Sequence, residues 1–299
     1  MELSAVRFRN VKKHRKRLDV GPIHLNIPEG YIVALVGQNG SGKSTLLNML
    51  IQTIYPDEGS IEWFGQSFEQ EIPMSLRQQI AYVPELPSTE EYFLTPDEAA
   101  AFRAHWYPNW DAERYEEMMQ RFEVPRDSKL RKMSKGERRK YEIAVSLAAR
   151  PRLLLLDEPS SGFDPFSWKK LIGELREVMK EGQTTIIMAT HIVDEIKRLA
   201  DYVVLIHRGQ MLGMVEKDSL IDSWKEIWLN ADSSVIEELP DVLQWDQETP
   251  STVRVITSDA QRMEQVMKDS GWIPLKMRSL ELDEILELWI EGHMPNGVY

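Results

Sequence analysis

A glycine-rich turn between a buried strand and a helix is the feature that most constrains this chain. The apolar run at residues 31–36 predicts a strand, and the apolar residues between 46 and 50 predict a helix. Between them the sequence matches the pattern G-x-x-x-x-G-K-[ST]. The matching residues are Gly37, Gln38, Asn39, Gly40, Ser41, Gly42, Lys43, Ser44 and Thr45. Strand, turn and helix in this order are the context that the pattern requires.

The chemistry of this turn follows from its spacing. Glycines allow the backbone to curl so that successive N–H groups point at a phosphate, and the helix N-terminus adds partial positive charge. Lys43 is placed to reach the β- and γ-phosphates of a nucleoside triphosphate as a catalytic cation, and the Ser44 hydroxyl to ligate Mg²⁺. The alternative, a flexible glycine turn, is disfavoured by the strand and helix on either side.

A second element combines an apolar strand with two carboxylates. Leu153–Leu156 reads as a buried parallel strand, and Asp157 and Glu158 follow it directly. Nucleotides bind at the carboxyl edge of open α/β sheets, so Asp157 is expected to hold Mg²⁺ there. Glu158 is then placed to polarise the attacking water. A solvated acidic turn after a core strand is the alternative.

A third element makes the sequence resemble the ATPases of ABC transporters. Residues 133–138 read Met-Ser-Lys-Gly-Glu-Arg and are similar to the family's signature, which opens a helix and contacts the γ-phosphate held by a second subunit. The resemblance assigns nucleotide contacts to Ser134, Gly136 and Glu137. Independently of the family, Ser134 with Glu137 predicts a capping box at the start of a helix.

Two later segments extend the resemblance. Residues 161–165 are similar to the family's loop at the dimer interface, which assigns Asp164 to the nucleotide site, and His191 resembles the histidine that contacts the γ-phosphate. The resemblance covers roughly residues 1–218. Lys135 and residues 107–111 indicate the branch that includes the YtrB-type exporter ATPases.

Two positions outside the signature depart from the family pattern. His14 stands where the family places an aromatic residue that stacks on adenine; the basic run at 12–17 around it is alternatively a solvated hairpin or a nucleic-acid patch. Glu85 stands where the family has a glutamine near the metal. A carboxylate there binds Mg²⁺ more tightly, raises its own pKa or turns away, and the sequence leaves these three open.

The uneven distribution of charge along the chain predicts two domains. The chain has 36 basic and 48 acidic residues, a net charge of −12, which disfavours a nucleic-acid partner. From Asp222 onward 16 acidic and 6 basic residues carry most of this excess. We therefore predict an ATPase domain at 1–221 and a small acidic α+β accessory domain at 222–299. We predict an α/β fold for the ATPase domain, with an antiparallel β subdomain and a helical insertion at about 85–150, and the resemblance implies that its core is a P-loop NTPase of the ABC-ATPase type.

The resemblance implies a function and its partners. Two copies, or this chain and a related one, are expected to sandwich ATP and Mg²⁺ head to tail and to drive separate transmembrane permease subunits, most simply in export. No apolar run reaches the roughly 18 residues of a membrane span, and there are no cysteines. We expect a cytoplasmic protein, peripheral on the inner face of the cell membrane. Trp106, Tyr107 and Trp110 mark a groove for the membrane partner or pack the insertion.

Two other functions stay open on the sequence alone. One is a soluble ABC-type ATPase without a transport role, although the chain has a single cassette and no coiled-coil insertion. The other is a hydrolysis-impaired ATP-sensing clamp, suggested by Glu85 and by Glu137, which stands where the family's signature ends in glutamine. The substrate is not readable, because substrate contacts in this family lie in the membrane subunit.

Overall fold

The computed structural model describes residues 3–230, 236, 239, 242–249 and 251–298. The strands, in chain order, are β1 (Ser4–Lys13), β2 (Val20–Pro28), β3 (Ile32–Val36), β4 (Glu58–Trp63), β5 (Gln66–Ser67), β6 (Ile80–Val83), β7 (Leu153–Asp157), β8 (Thr185–Thr190), β9 (Tyr202–His207), β10 (Gln210–Glu216), β11 (Lys225–Leu229), β12 (Val242–Thr249), β13 (Thr252–Thr257) and β14 (Pro274–Ser279). The α-helices are α1 (Lys43–Leu50), α2 (Met74–Arg77), α3 (Pro96–Ala104), α4 (Ala112–Arg121), α5 (Lys135–Ala148), α6 (Pro165–Lys180), α7 (Val193–Leu199), α8 (Lys217–Ser223), α9 (Ala260–Ser270) and α10 (Leu282–Ile290).

The chain divides into two units. The first comprises Met1–Ala200 and Ile206–Met211, and the second comprises Asp201–Leu205 and Leu212–Tyr299. The division falls within strands β9 and β10, whereas the sequence-based limit lies at residue 221. The limits 1–221 and 222–299 therefore stay a prediction about domains.

An antiparallel sheet in the first unit has the strand order β2-β1-β4-β5. Phe8 of β1 lies opposite Leu25 of β2 and Ile61 of β4, and all three side chains are buried. Apolar residues alternate with polar ones along β1 and β2, which is the pattern of strands with one buried face. The predicted antiparallel β subdomain is confirmed.

Parallel strands form the core of the same unit in the order β3-β8-β7-β6. Every residue of β3, β7 and β8 is buried, and such continuous apolar strands are typical of a sheet covered on both faces. Val36 pairs with Thr190, and Asp157 pairs with Ala189. The carboxyl ends of β3, β7 and β8 therefore meet at one edge, and the loops that follow them share that edge.

The predicted helical insertion contains α3, α4 and α5. Thr95 caps α3 and Ser134 caps α5, each with a glutamate at the third helical position whose side chain returns to the cap. The capping box predicted at Ser134 is confirmed, and Thr95 forms a second one.

The second unit contains an antiparallel sheet in the order β12-β13-β11-β14. Ile227, Val253 and Val255 on one face pack with Met263 and Met267 of α9 in a single apolar cluster. The α+β character predicted for the C-terminal part is confirmed. In the described part of the chain no helix is long and apolar enough to cross a bilayer.

Strand β7 offers a test of the core. Leu155 is 0% exposed. Leu155→Ala removes three buried carbon atoms and leaves a cavity, so we expect the free energy of unfolding to fall by about 2–5 kcal/mol in a urea titration. Leu86→Ala is the control, because Leu86 is 74% exposed and its change should stay within about 0.5 kcal/mol. Equal effects at the two positions would contradict a core position for β7.

Candidate functional site

The phosphate-loop residues lie where β3 ends and α1 begins. Gly42, the N-cap of α1, has a φ of 113°, in the left-handed region that favours glycine. Gly37 is constrained by space, since a Cβ atom there would lie 2.1 Å from the carbonyl oxygen of Ile206. Both glycines therefore serve the backbone path that the pattern predicted.

Lys43 lies folded over this loop. Its Nζ atom donates hydrogen bonds to the carbonyl oxygens of Gly37 at 2.6 Å and Gln38 at 3.2 Å. Burial lowers the pKa of Lys43 below its ordinary value, while the carboxylates of Glu158 and Asp157 oppose this shift. A buried ammonium held by carbonyl oxygens beside carboxylates is a group that an incoming polyphosphate can neutralise.

Ser44 and Asp157 meet across the sheet edge. The Ser44 hydroxyl donates to Oδ1 of Asp157 at 3.1 Å, and Asp157 is buried. Burial raises the pKa of Asp157, although the Ser44 hydrogen bond opposes this. A hydroxyl and a carboxylate side by side fit the oxygen ligands that Mg²⁺ prefers, although only Ser44 of the two lines the pocket. Among the described residues no group of three or more His, Cys, Asp or Glu side chains could hold a metal.

Glu158 lies between a cation and a histidine. Its carboxylate is 2.9 Å from Nδ1 of His191 and 3.9 Å from Nζ of Lys43. Its φ of 50° is in the left-handed region, and its N–H donates to the carbonyl oxygen of Ala189 at 2.9 Å. The turn after β7 is thus held by β8, and it presents a carboxylate where water can reach.

An open pocket of about 380 Å³ connects these groups. Its described lining consists of Arg15, Arg17, Leu18, Val20, Asn39, Gly40, Gly42, Lys43, Ser44, Thr45, Glu85, Glu158, Ser161, His191 and Ile192. The structure therefore brings together most of the phosphate loop, Glu85, Glu158 and His191. Ser41 and Gly37 belong to the loop without lining the pocket.

His14 lies outside this lining. Its Nδ1 atom is 3.3 Å from the Asp19 carboxylate, and its backbone N–H donates to the Asp57 carboxylate at 2.7 Å. Stacking of His14 on a base stays a prediction. Residues that follow it, up to the first residue of β2, line the pocket instead; they are Arg15, Arg17, Leu18 and Val20.

Four further predicted site residues, Ser134, Gly136, Glu137 and Asp164, also lie outside the lining. Ser134 and Glu137 cap α5, and a Cβ atom at Gly136 would lie 2.4 Å from the carbonyl oxygen of Gly162. Asp164 caps α6, and hydrogen bonds from Ser167 lower its pKa to about 2. The start of α5 is therefore fixed against the loop at Gly162.

Arg139 is a site residue that the sequence motifs do not single out. Its guanidinium is buried and donates to the carbonyl oxygens of Pro84 at 2.6 Å, Asp157 at 2.8 Å and Glu158 at 2.9 Å. One side chain thus joins the helix that begins at Ser134 to the loop before Glu85 and to the acidic turn. The available signal was its place four residues before buried Ile143, which puts both residues on one face of the helix.

The sequence motifs also do not single out Tyr82 and Glu195, which lie at the site. The Tyr82 hydroxyl lies 3.5 Å from Oδ2 of Asp157, and burial raises its pKa, so it stays a proton donor. Glu195 is fully buried and accepts a hydrogen bond from the N–H of Ser160 at 3.2 Å. Both residues support the acidic turn from neighbouring elements, and no short motif contains them.

The geometry defines a nucleotide-binding protein with a P-loop at the carboxyl edge of a parallel sheet. The sequence pattern of the ABC transporter family matches residues 20–161. The chain is 29% identical over 214 residues to the ABC transporter ATP-binding protein YtrB of Bacillus subtilis, covering 71% of this chain and 72% of that protein. It is 31% identical over 211 residues to the bacitracin transport ATP-binding protein BcrA of Bacillus licheniformis, covering 70% and 68%.

Solved structures with a similar fold point to the same family. An ATP-binding subunit of an ABC transporter superposes with a TM-score of 0.65 at 27% identity, over 73% of this chain and 92% of that one. The chain therefore belongs to the family of ABC transporter ATP-binding proteins, which binds ATP.

The contacts of Arg139 lead to a prediction on stability. Arg139→Met leaves three carbonyl groups without their buried donor, so we expect the free energy of unfolding to fall by about 2–4 kcal/mol in urea. Lys132→Met removes an exposed charge three residues before the start of α5 and should change stability by less than about 0.5 kcal/mol. A loss at Arg139 no larger than that at Lys132 would contradict its role as a connector.

The burial of Glu195 leads to a prediction on pH. Burial raises its pKa above the ordinary value of 4.5, so the native state keeps a proton that the unfolded chain has released. Stability from this group therefore falls as pH rises above about 4.5. We expect Glu195→Gln to be more stable than the wild type at pH 7 and no more stable at pH 4, measured by urea unfolding.

The exposed Glu69→Gln variant controls for the loss of one negative charge. An advantage of Glu195→Gln that is the same at both pH values, or that is larger at pH 4 than at pH 7, would show that Glu195 is not held in the way that its burial indicates.

Proposed function

We propose that this chain is the ATP-hydrolysing subunit of an ABC exporter, and that two such subunits clamp ATP head to tail and drive separate transmembrane subunits. The observation that carries the proposal is the position of the Glu158 carboxylate, 2.9 Å from His191 and 3.9 Å from the ammonium of Lys43. A carboxylate beside groups that bind the γ-phosphate is placed to act as the base for an attacking water.

The chain's own residues then have distinct tasks. The N–H groups at the start of α1 hold the phosphates, and Lys43 exchanges its carbonyl contacts for phosphate oxygens. Glu158 orients the water and takes its proton as the water oxygen bonds to the γ-phosphorus and the bond to ADP breaks. His191 holds the Glu158 carboxylate and faces the same phosphate. Ser44 and Asp157, with Glu85 on the pocket wall, would hold Mg²⁺, which neutralises charge on the phosphates.

A second subunit is proposed because Ser134, Gly136, Glu137 and Asp164 do not line the pocket of their own chain. Ser134, Gly136 and Glu137 form the N-terminus of α5, and that end attracts anions. Head-to-tail pairing brings this end to the γ-phosphate bound by the other subunit, with Asp164 at the interface. Loss of the γ-phosphate removes the contact shared by both halves, so they separate.

The membrane partner is proposed from a groove in the helical insertion. A groove of about 420 Å³ is lined by Met74, Arg77, Gln78, Ser88, Glu90, Glu91, Phe102, Arg103, Trp106 and Tyr107. Phe102 is 59% exposed and Trp106 is 48% exposed. An exposed aromatic surface with charged sides suits a short helix of a transmembrane subunit. Trp110 belongs to the packing alternative instead, because its ring lies 5.7 Å from that of Tyr115.

Export and a location on the inner face of the cell membrane are part of the proposal. Relatives that share the cassette include the Nod factor export ATP-binding protein I of Burkholderia orbicola, 28% identical over 228 residues. The chain supplies the motor in this proposal, and the transported substrate is set by the transmembrane subunits.

The test is steady-state ATPase activity over a series of protein concentrations. We expect the specific activity of the wild type to rise with concentration, because each site needs two chains. Glu158→Gln should lower the rate by about 100-fold or more while ATP binding changes little. Glu69→Gln, the exposed control, should match the wild type. Wild-type protein that binds ATP and never hydrolyses it would favour the ATP-sensing clamp, and hydrolysis independent of concentration would contradict the shared site.

A further inference from the structure

The connection between β1 and β2 forms one wall of the nucleotide pocket. Arg15, Arg17, Leu18 and Val20 contribute to this wall. The position of the connection is fixed at Val20, which is buried and would lie 3.0 Å from a Cβ atom at Gly42. These residues therefore lie beside the N-terminal end of α1.

The guanidinium groups of Arg15 and Arg17 are free for a ligand. Their neighbours are engaged: Lys13 pairs with Asp57 at 2.7 Å, and His14 lies 3.3 Å from Asp19. In the ranges that the structure describes, neither guanidinium takes part in an ion pair, and the one hydrogen bond of Arg15 comes from its backbone N–H to Asp19. Two unpaired cations on the wall of a pocket indicate an electron-rich ligand group.

The base of the nucleotide is the group that reaches this wall. Lys43, Glu158 and His191 mark the end of the pocket at which the γ-phosphate reacts in the proposed function. A nucleotide whose phosphates run along the loop toward that end carries its base at the other end. The described lining contains no Phe, Tyr or Trp, so no aromatic residue offers a stacking surface there.

We propose that the guanidinium planes of Arg15 and Arg17 stack on the face of the base, supported by the apolar side chains of Leu18 and Val20, and that the site accepts purine nucleoside triphosphates as a class. A guanidinium is planar and weakly hydrated, and it stacks on bases and aromatic rings. Stacking reads the face of a base and not its edge, so it does not separate ATP from GTP. The inference rests on the proposed function, because it takes the orientation of the nucleotide from the hydrolytic end.

The test compares charge with planarity in the full-length chain. Dissociation constants for Mg²⁺ complexes of ATP, GTP and CTP, and for inorganic tripolyphosphate, are measured by calorimetry. The variants are Arg15→Ala with Arg17→Ala, and Arg15→Lys with Arg17→Lys, which keeps both charges without the planar group. Lys16→Ala is the matched control, an exposed cation between the two arginines that does not line the pocket.

We expect the wild type to bind ATP and GTP within about threefold of each other and CTP more weakly. Both double variants should weaken ATP and GTP by about tenfold or more, which is the size of one base-stacking contact. Tripolyphosphate binding should change by less than about threefold in the lysine variant, and ATP binding by a similarly small factor in Lys16→Ala.

Several results would overturn the inference. Full ATP affinity in the lysine variant would show that charge alone acts, an equal loss of tripolyphosphate would place the arginines on the phosphates, and a larger loss in His14→Ala would return the base to that ring. Wild-type protein that binds neither ATP nor tripolyphosphate would overturn the proposed function itself. Wild-type binding that is lost in Lys43→Ala and unchanged in both arginine variants would overturn this inference alone.

Discussion

The burial of charge at the carboxyl edge of a parallel sheet is the constraint on which the rest of this structure depends. Asp157 and Glu158 follow four buried leucines of β7, and both side chains are themselves buried, Glu158 at the wall of the pocket. The protein compensates with Lys43 and Arg139, both of them buried. Nζ of Lys43 lies 3.9 Å from the Glu158 carboxylate, and Arg139 donates to the backbone carbonyl oxygens of Asp157 and Glu158, so each cation holds part of the acidic turn.

Arg139 connects this charged edge to the part of the chain proposed to meet a second subunit. Its hydrogen bonds reach the carbonyl oxygens of Pro84, Asp157 and Glu158 from the first turns of α5. The same helix begins at Ser134 and packs at Gly136 against the backbone of Gly162. A change in the acidic turn therefore cannot leave the start of α5 unaffected. This arrangement gives a physical route by which hydrolysis in one pocket would alter the surface that a partner contacts.

The burial of these charged groups also costs free energy. Burial raises the pKa of Asp157 and lowers that of Lys43, so the ionised form of each group is less stable than it would be in water. In the proposed function a nucleotide with a divalent cation would pair with both groups, and its binding would offset part of the cost of burying them.

The sequence by itself determined the local features: the phosphate loop, the apolar strands, the capping boxes at Thr95 and Ser134, and the α+β tail, because each depends on spacing within a short segment. Only the tertiary structure decided which side chains complete the site. Arg139, Tyr82 and Glu195 act through contacts with residues 18 or more positions away or through burial between elements, and no local pattern encodes such contacts. For the same reason the pocket wall is formed by Arg15 and Arg17 and not by His14, since the path of the connection is set by packing of Val20 against Gly42.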